Sequence, residues 1–144
     1  MAGKKYAALI DSGPLVALLD ARQATHAWAV DQLRLLRAPL LTCEAVLSES
    51  LFLLQHSPRA AAQIQRWQEA GILVCWEGYS KSAAEVTTLM ATYENVPMSF
   101  ADACLVRMSE LFAGVPVFTL DSDFQIYRRN KRQVIPLISP EEGG

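Results

Sequence analysis

The sequence has no long apolar run, little charge and few cysteines. Of its 144 residues, 51% are apolar and 19% are charged, and 13 basic against 15 acidic side chains give a net charge of −2. A chain this apolar is not a disordered protein. The balanced charge does not favour a general attraction to nucleic acid, and the seven glycines and seven prolines are too few for a fibrous protein.

The sequence also lacks a segment that resembles a membrane anchor. No stretch approaches the roughly 20 consecutive apolar residues that a transmembrane helix requires. The richest stretch, 40–54, is interrupted by two glutamates and two serines. Near the N-terminus, the five residues 6–10 end at Asp11 and are too few for the core of a signal peptide. We therefore expect a cytoplasmic protein with no membrane association.

The three cysteines, Cys43, Cys75 and Cys104, are far apart and odd in number. They show neither the Cys-x-x-Cys pair nor the cysteine–histidine spacing that is typical of a zinc site. We therefore interpret each as a small apolar residue of the core. The length fits one compact domain, which we place at residues 1–138, followed by a flexible C-terminal tail at 139–144.

Short apolar segments alternate along the chain with segments of helical periodicity. Strands are predicted at 6–10, 40–41, 72–76, 117–120 and 134–135. Helices are predicted at 12–19, 26–37, 57–71, 79–93 and 99–112, and another is predicted to be capped by Thr42 and to run to about residue 55. This alternation favours a parallel sheet covered by helices on both faces. In such sheets, ligands bind outside the carboxyl ends of the strands.

Two aspartates directly follow predicted strands. Asp11 follows 6–10 and Asp121 follows 117–120, so both are expected at the carboxyl ends of parallel strands, where a ligand would bind. Aspartate is also common as a helix cap and in turns. For either residue alone, the capping interpretation is as good as the functional one.

Two further acids are predicted on the inner faces of helices. All four residues three and four positions from Glu49 are apolar, which predicts an inward side chain. A buried carboxylate needs a cation, a metal or a raised pKa, and a salt bridge to an arginine is the weaker alternative because no basic residue lies at helical spacing. Asp102 precedes the apolar Leu105 and Val106 and could face the same cavity. Ser99 and Asp102 also have the spacing of a capping box.

Four carboxylates that converge would repel one another. Two like charges about 4 Å apart repel by about 1 kcal/mol in water and by about 4 kcal/mol at an effective dielectric of 20. Such a cluster destabilises a fold unless cations neutralise it. Mg²⁺ and Mn²⁺ prefer oxygen ligands and suit an all-carboxylate site. The pattern therefore indicates metal-assisted hydrolysis of a phosphodiester bond.

Four short segments carry these acids. They are ALIDSGPLVALLD with Asp11, LLTCEAVLSES with Glu49, SFADAC with Asp102 and TLDSDF with Asp121. In this order and spacing, over about residues 6–136, they resemble the PIN domain and are most similar to the VapC-type ribonucleases of bacterial toxin–antitoxin pairs.

The resemblance implies an α/β fold with three layers, α/β/α, around a central parallel sheet. It implies an Mg²⁺- or Mn²⁺-dependent endoribonuclease that hydrolyses RNA phosphodiester bonds, is inhibited by an antitoxin protein and forms a homodimer. The residues it implies are Asp11, Glu49, Asp102 and Asp121 as catalytic metal ligands, Asp123 as a secondary metal ligand, and Ser12 and Thr119 as supporting hydroxyls. Glu44 is a second acid of the same predicted helix as Glu49, and its contribution stays open.

Other interpretations stay open beside this one. A basic cluster beyond Asp121 could hold RNA phosphates or form an ordinary solvated surface. The alternatives for the whole chain are a housekeeping PIN nuclease of RNA processing and a non-catalytic PIN-like binding module. A phosphatase of the haloacid dehalogenase type is disfavoured because no aspartate stands two residues after Asp11. The basic cluster consists of Arg128, Arg129, Lys131 and Arg132.

Overall fold

A computed structural model gives the structure of this protein and describes residues 5–37 and 39–140. The strands are β1 (Ala8–Ile10), β2 (Leu40–Cys43), β3 (Leu73–Trp76), β4 (Val117–Phe118), β5 (Arg128–Arg129), β6 (Gln133–Val134) and β7 (Leu137–Ile138). The helices are α1 (Ser12–Leu19), α2 (His26–Leu35), α3 (Glu44–Leu53), α4 (Ala60–Glu69), α5 (Tyr79–Thr92) and α6 (Phe100–Leu111), and a short 3-10 helix spans Ser122–Gln125.

Five strands form one parallel sheet in the order β3-β2-β1-β4-β7. The central strand β1 pairs with β2 through Leu9 and Leu41, and with β4 through Leu9 and Val117. All three residues of β1 are fully buried, as expected for a strand covered on both faces. The sheet is flanked by the six helices, which confirms the predicted three-layer α/β/α fold.

Helix α6 is the most deeply buried helix of the described chain. Residues 101–106 are all buried, and the helix packs against α5, α3, β1 and β2. Ser99 begins it with a capping box shared with Asp102, and Gly114 follows its end with a φ of +83°, a conformation that glycine adopts at low cost. The first turn of α6 is thereby fixed at the carboxyl end of the sheet.

Two of the predicted element positions are wrong. Residues 134–135 do not form the last strand of the main sheet. Instead, β6 pairs antiparallel with β5 in a separate hairpin, whose turn contains positive φ values at Asn130 and Lys131, and β7 completes the sheet. Thr42 does not cap α3, because it lies within β2 and its hydroxyl donates a 3.2 Å hydrogen bond to the carbonyl of Ile10.

Of the predicted tail at 139–144, the structure describes Ser139 and Pro140, and the rest lies outside the described residues. The division into a domain and a flexible tail therefore stays a prediction. Within 5–37 and 39–140, none of the helices combines the length and the apolar character needed to cross a bilayer.

Candidate active site

The four predicted acids line one pocket at the carboxyl edge of the sheet. The pocket has a volume of about 410 Å³. It lies where β1 and β4 end, and α3 and α6 supply its other walls. We call it the acidic pocket, and its lining residues are Asp11, Ser12, Gly13, Glu49, Pro97, Ser99, Asp102, Leu120 and Asp121.

Asp11 is the most deeply held of the four acids. It follows β1 directly and caps α1, and its carboxylate accepts hydrogen bonds of 2.7 Å from the backbone N–H of Ser12 and from the hydroxyl of Thr119. Burial raises the pKa of Asp11 from 3.8 to about 6, and the negative charges of Asp102 and Glu49 add to this rise against the opposing effect of the hydrogen bonds. The pocket therefore concentrates negative charge around Asp11.

Asp102 is both a capping residue and a wall of the acidic pocket. Its carboxylate accepts a 3.1 Å hydrogen bond from the backbone N–H of Ser99, and its own N–H donates to the Ser99 hydroxyl at 3.0 Å. The buried hydroxyl of Tyr127 donates to the same carboxylate at 3.3 Å. Burial raises the pKa of Asp102, and the nearby charge of Asp121 raises it further. Asp102 therefore both forms the capping box with Ser99 and lines the acidic pocket.

Glu49 is exposed, so the prediction that it points into the core is wrong. Helix α3 buries only Val46 and Ser50, and the apolar neighbours Phe52 and Leu53 are themselves 67% and 50% exposed. Of the four apolar residues at helical spacing from Glu49, only Val46 is buried, and Glu49 itself lies at the rim of the pocket. The hydroxyl of Ser12 donates a hydrogen bond to the Glu49 carboxylate, which holds it over the acidic pocket.

Asp121 is positioned by the turn that follows β4. Its backbone N–H donates to the Thr119 hydroxyl at 3.0 Å, and its carboxylate accepts a 2.9 Å hydrogen bond from the N–H of Asp123. Asp123 itself is absent from the residues that line the acidic pocket within the described chain. The hydroxyls of Ser12 and Thr119 each donate a hydrogen bond to an acid of the pocket, and their supporting role stays a prediction.

Comparisons with known proteins identify the family. The family model described as "PIN domain" matches residues 8–130. This chain belongs to the PIN domain family. Among solved structures, it is similar to that of Mycobacterium tuberculosis VapC20, which is described as a sarcin–ricin loop cleaving toxin, with a TM-score of 0.73 and 19% identity over 89% of this chain and 98% of that one. A comparison with curated proteins gave no match.

The acids of this PIN domain form a set of oxygen donors around one pocket. Four carboxylates around one pocket match the oxygen ligands that Mg²⁺ and Mn²⁺ prefer, and the raised pKa of Asp11 reflects burial and unneutralised like charge. Within residues 5–37 and 39–140, no three acidic, histidine or cysteine side chains form a ready-made metal-binding group. The four carboxylates suit a hard divalent cation by their chemistry and because they line one pocket. They do not form a ligand group as they stand, so metal binding at this pocket stays a prediction.

The predicted basic cluster lies elsewhere in the PIN domain. Arg128 and Lys131 line a separate cavity of about 310 Å³ beside α5, and one guanidinium nitrogen of Arg128 donates to the carbonyls of residues 125–127. A guanidinium nitrogen of Arg129 donates to the carbonyl of Ser109 at 3.4 Å. In the described chain, none of the four cluster residues lines the acidic pocket. Their assignment to RNA binding stays a prediction.

Sequence reasoning missed Tyr127 at this site. Its ring is fully buried and packs edge-to-face against Phe124 and Tyr93, while its hydroxyl reaches Asp102. In the sequence Tyr127 lies between Ile126 and Arg128, which gives no sign of a role at this site, and 25 positions separate it from Asp102. No local spacing could have linked the two. Glu44, the other acid of α3, lines a different pocket.

Proposed function

We propose that this PIN domain is a metal-dependent endoribonuclease that hydrolyses RNA phosphodiester bonds. The observation that carries the proposal is the acidic pocket, because four carboxylates from β1, α3, α6 and the turn after β4 line it together. Membership of the PIN family supports the same activity, and the four acids lie in the segments that resemble its motifs. The pocket is open at the carboxyl edge of the sheet, where α/β proteins bind their ligands.

In this proposal, Mg²⁺ or Mn²⁺ is held by Asp11, Glu49, Asp102 and Asp121, with Asp123 as a secondary ligand. A bound divalent ion supplies a Lewis acid that polarises a phosphate oxygen and neutralises developing negative charge. The Thr119 hydroxyl keeps the Asp11 carboxylate in place.

We further propose that the chain is the toxin of a VapC-type toxin–antitoxin pair in the cytoplasm, with an antitoxin protein as its partner and a homodimer as its form. The likeness to VapC20 over most of both chains supports this role. It also makes RNA that contains a sarcin–ricin loop a natural first substrate to test, beside tRNA and rRNA.

The test is an RNA cleavage assay with matched variants. Purified protein is incubated with tRNA, rRNA and a sarcin–ricin loop RNA in Mn²⁺, in Mg²⁺ or in chelator. We expect cleavage only with metal, and its loss in Asp11→Asn and Asp102→Asn variants whose far-UV circular dichroism is unchanged. Asp31→Asn is the control, since Asp31 is an exposed aspartate of α2. Cleavage by both pocket variants at the rate of the parent would refute the site.

Two competing functions give different results in simple measurements. A non-catalytic binding module would show no rise in melting temperature with Mg²⁺ or Mn²⁺, whereas an ion that binds only the folded protein raises it. We expect the rise in melting temperature, and a smaller rise in Asp11→Asn, which keeps three of the four acids. A housekeeping nuclease of RNA processing would cleave RNA without arresting growth on expression, whereas a toxin arrests growth and an antitoxin encoded beside it relieves the arrest.

A further inference from the structure

A second pocket lies on the same edge of the sheet as the acidic pocket. It has a volume of about 240 Å³ and is formed where β2 and β3 end, whereas the acidic pocket is formed where β1 and β4 end. Because the sheet order is β3-β2-β1-β4, the two sites are neighbours along one edge. We call it the aromatic pocket, and its lining residues are Cys43, Glu44, Ala45, Trp76, Glu77, Tyr79, Ser80, Phe100 and Cys104.

The two pockets share their walls. On α6, Asp102 lines the acidic pocket while Phe100 and Cys104 line the aromatic pocket. Ser99, which also lines the acidic pocket, directly precedes Phe100, and adjacent Cα atoms are about 3.8 Å apart. On α3, Glu49 lines the acidic pocket and the first turn of the helix lines the aromatic one. An RNA strand bound at the acids therefore has the aromatic pocket within reach of its neighbouring nucleotide.

The aromatic pocket presents unusual exposed rings. Tyr79 and Phe100 are 43% and 42% exposed and pack edge-to-face with their ring centroids 5.1 Å apart. Trp76 contributes a third ring, which lies against the backbone at Gly78, where an added Cβ would be only 2.5 Å from the indole. Large exposed rings next to a catalytic pocket are a means of stacking the bases of a single strand.

The charged groups of this pocket suit a base better than a phosphate. Glu44 and Glu77 supply carboxylates, and no lysine or arginine is among the described residues that line it. Carboxylates repel phosphate and accept hydrogen bonds from the exocyclic amino groups of adenine, cytosine or guanine. Uracil has no such amino group, so it is the poorest match.

We propose that the aromatic pocket binds an unpaired base next to the scissile phosphate and prefers bases that carry an exocyclic amino group. This inference rests on the proposed ribonuclease function. It adds a binding site for one nucleobase, with Phe100 and Tyr79 as the stacking residues and Glu44 and Glu77 as the acceptors.

The test measures RNA binding without cleavage. Fluorescent eight-nucleotide oligo(A), oligo(C) and oligo(U) are titrated with the Asp11→Asn protein in a buffer that contains Mg²⁺. The titrations are repeated with the same protein carrying one further substitution. We expect Phe100→Ala and Phe100→Leu to weaken oligo(A) and oligo(C) binding by roughly 10-fold or more, the scale of losing one stacked base. Phe100→Leu keeps an apolar side chain and covers the case in which the alanine variant does not fold.

A matched control comes from the other end of the same helix. Leu111 is an exposed apolar residue that ends α6, about 16 Å from Phe100 along the helix axis. We expect Leu111→Ala to leave all three affinities within roughly 2-fold of the parent. Leu111 lies outside both pockets, and substitutions of surface residues usually have small effects.

The base preference is tested by a separate pair of changes. Glu44→Gln and Glu77→Gln are combined in the same Asp11→Asn protein, since glutamine adds a donor and weakens the selection for amino groups. We expect the preference for oligo(A) and oligo(C) over oligo(U) to narrow, with oligo(U) affinity unchanged or higher. If the parent protein binds oligo(U) as tightly as the other two, the preference is refuted.

Failure of this inference is distinct from failure of the proposed function. If the unmodified protein cleaves RNA with metal but Phe100→Leu binds all three oligonucleotides as the parent does, the base pocket is wrong and the nuclease stands. If the unmodified protein cleaves no RNA in Mn²⁺ or Mg²⁺, the proposed function is wrong, and the base pocket is refuted with it.

Discussion

The hydroxyl of Thr119 joins two acids of the pocket that follow different strands. It donates a 2.7 Å hydrogen bond to the carboxylate of Asp11 and accepts a 3.0 Å bond from the backbone N–H of Asp121. Thr119 is completely buried, so solvent cannot replace either bond. One side chain at the end of β4 therefore fixes the relative position of the two strand-end acids.

We expect Thr119→Val to damage both stability and activity. Valine has nearly the same shape, but it leaves the Asp11 carboxylate and the Asp121 N–H without this partner, at a cost of about 1–3 kcal/mol in the free energy of unfolding. We expect RNA cleavage to fall roughly 10- to 100-fold, as when a partner of a metal ligand is lost. Urea denaturation and a cleavage assay measure the two effects. Thr119→Ser keeps the hydroxyl and is expected to cleave close to the parent rate, whereas full activity in the valine variant would contradict the argument.

A second prediction concerns the contact between Ser12 and Glu49. The Ser12 hydroxyl donates to the Glu49 carboxylate, and Glu49 is exposed, so Ser12→Ala is expected to change the free energy of unfolding by less than about 1 kcal/mol. It releases Glu49 from the pocket rim, so half-maximal cleavage is expected to require roughly 10-fold more metal. Ser48→Ala, next to Glu49 on α3, is the control. An unchanged metal requirement in Ser12→Ala would show that the hydroxyl does not position Glu49.

The two aspartates of the turn after β4 are expected to differ sharply. Asp121 lines the acidic pocket, whereas Asp123 is not among the described residues that line it and donates its backbone N–H to the Asp121 carboxylate. We expect Asp121→Asn to lower cleavage by more than roughly 100-fold, beyond the effect of losing an outer partner. Asp123→Asn keeps its backbone N–H and is expected to stay within about 10-fold of the parent. Equal losses of cleavage in the two variants would instead indicate that Asp123 contributes to metal binding as much as Asp121 does.

The parts of the fold that the sequence predicts are those in which local chemistry decides the structure. A short buried run followed by aspartate predicts both β1 and the position of Asp11. The spacing of Ser99 and Asp102 predicts the start of α6. The prediction for Glu49 was wrong because apolar residues at helical spacing do not fix burial: Val46 is buried, whereas Phe52 and Leu53 are exposed like Glu49 itself.

The hairpin of β5 and β6 shows the same limit for strands. The apolar pair Val134 and Ile135 is typical of a buried strand, yet Val134 is exposed and only Ile135 is buried. The backbone turn at Asn130 and Lys131, with positive φ at both residues, sets the antiparallel pairing. Asparagine tolerates that conformation better than most residues, but lysine gives no such signal, and the pairing depends on contacts with α6 that lie far away in sequence.

The basic cluster gives a prediction about salt dependence. Lys131 and Arg132 are exposed and are free to reach a phosphate outside the acidic pocket. If both contact single-stranded RNA, Lys131→Gln with Arg132→Gln makes the slope of log affinity against log salt shallower by about 1.4, or 0.7 for each phosphate lost. RNA binding by the Asp11→Asn protein across a salt series measures it. The control removes two exposed arginines near α4, Arg59 and Arg66, and a slope equal to that control would exclude the cluster from RNA binding.

The last prediction concerns stability at low pH and rests on Asp20, which follows α1. Its carboxylate accepts hydrogen bonds from the backbone N–H of Arg22 at 3.0 Å and from the guanidinium at 3.1 Å, and it lies 3.3 Å from the imidazole Nε2 of His56. The Arg22 side chain, then its backbone N–H, hold the pKa of Asp20 well below its usual value of 3.8.

Because the folded pKa of Asp20 is depressed, its contribution to stability is complete above about pH 4 and is lost as the pH falls further. Asp20→Asn is therefore expected to be less stable than the parent at pH 7, with the difference shrinking by pH 3 as the parent loses this contribution. Urea denaturation of both proteins at pH 7, 5 and 3 measures the difference, and Asp31→Asn is the control because its surface pair with Arg34 is exposed. A gap between parent and Asp20→Asn that is equally wide at pH 7 and pH 3 would mean that the charge of Asp20 does not stabilise the fold.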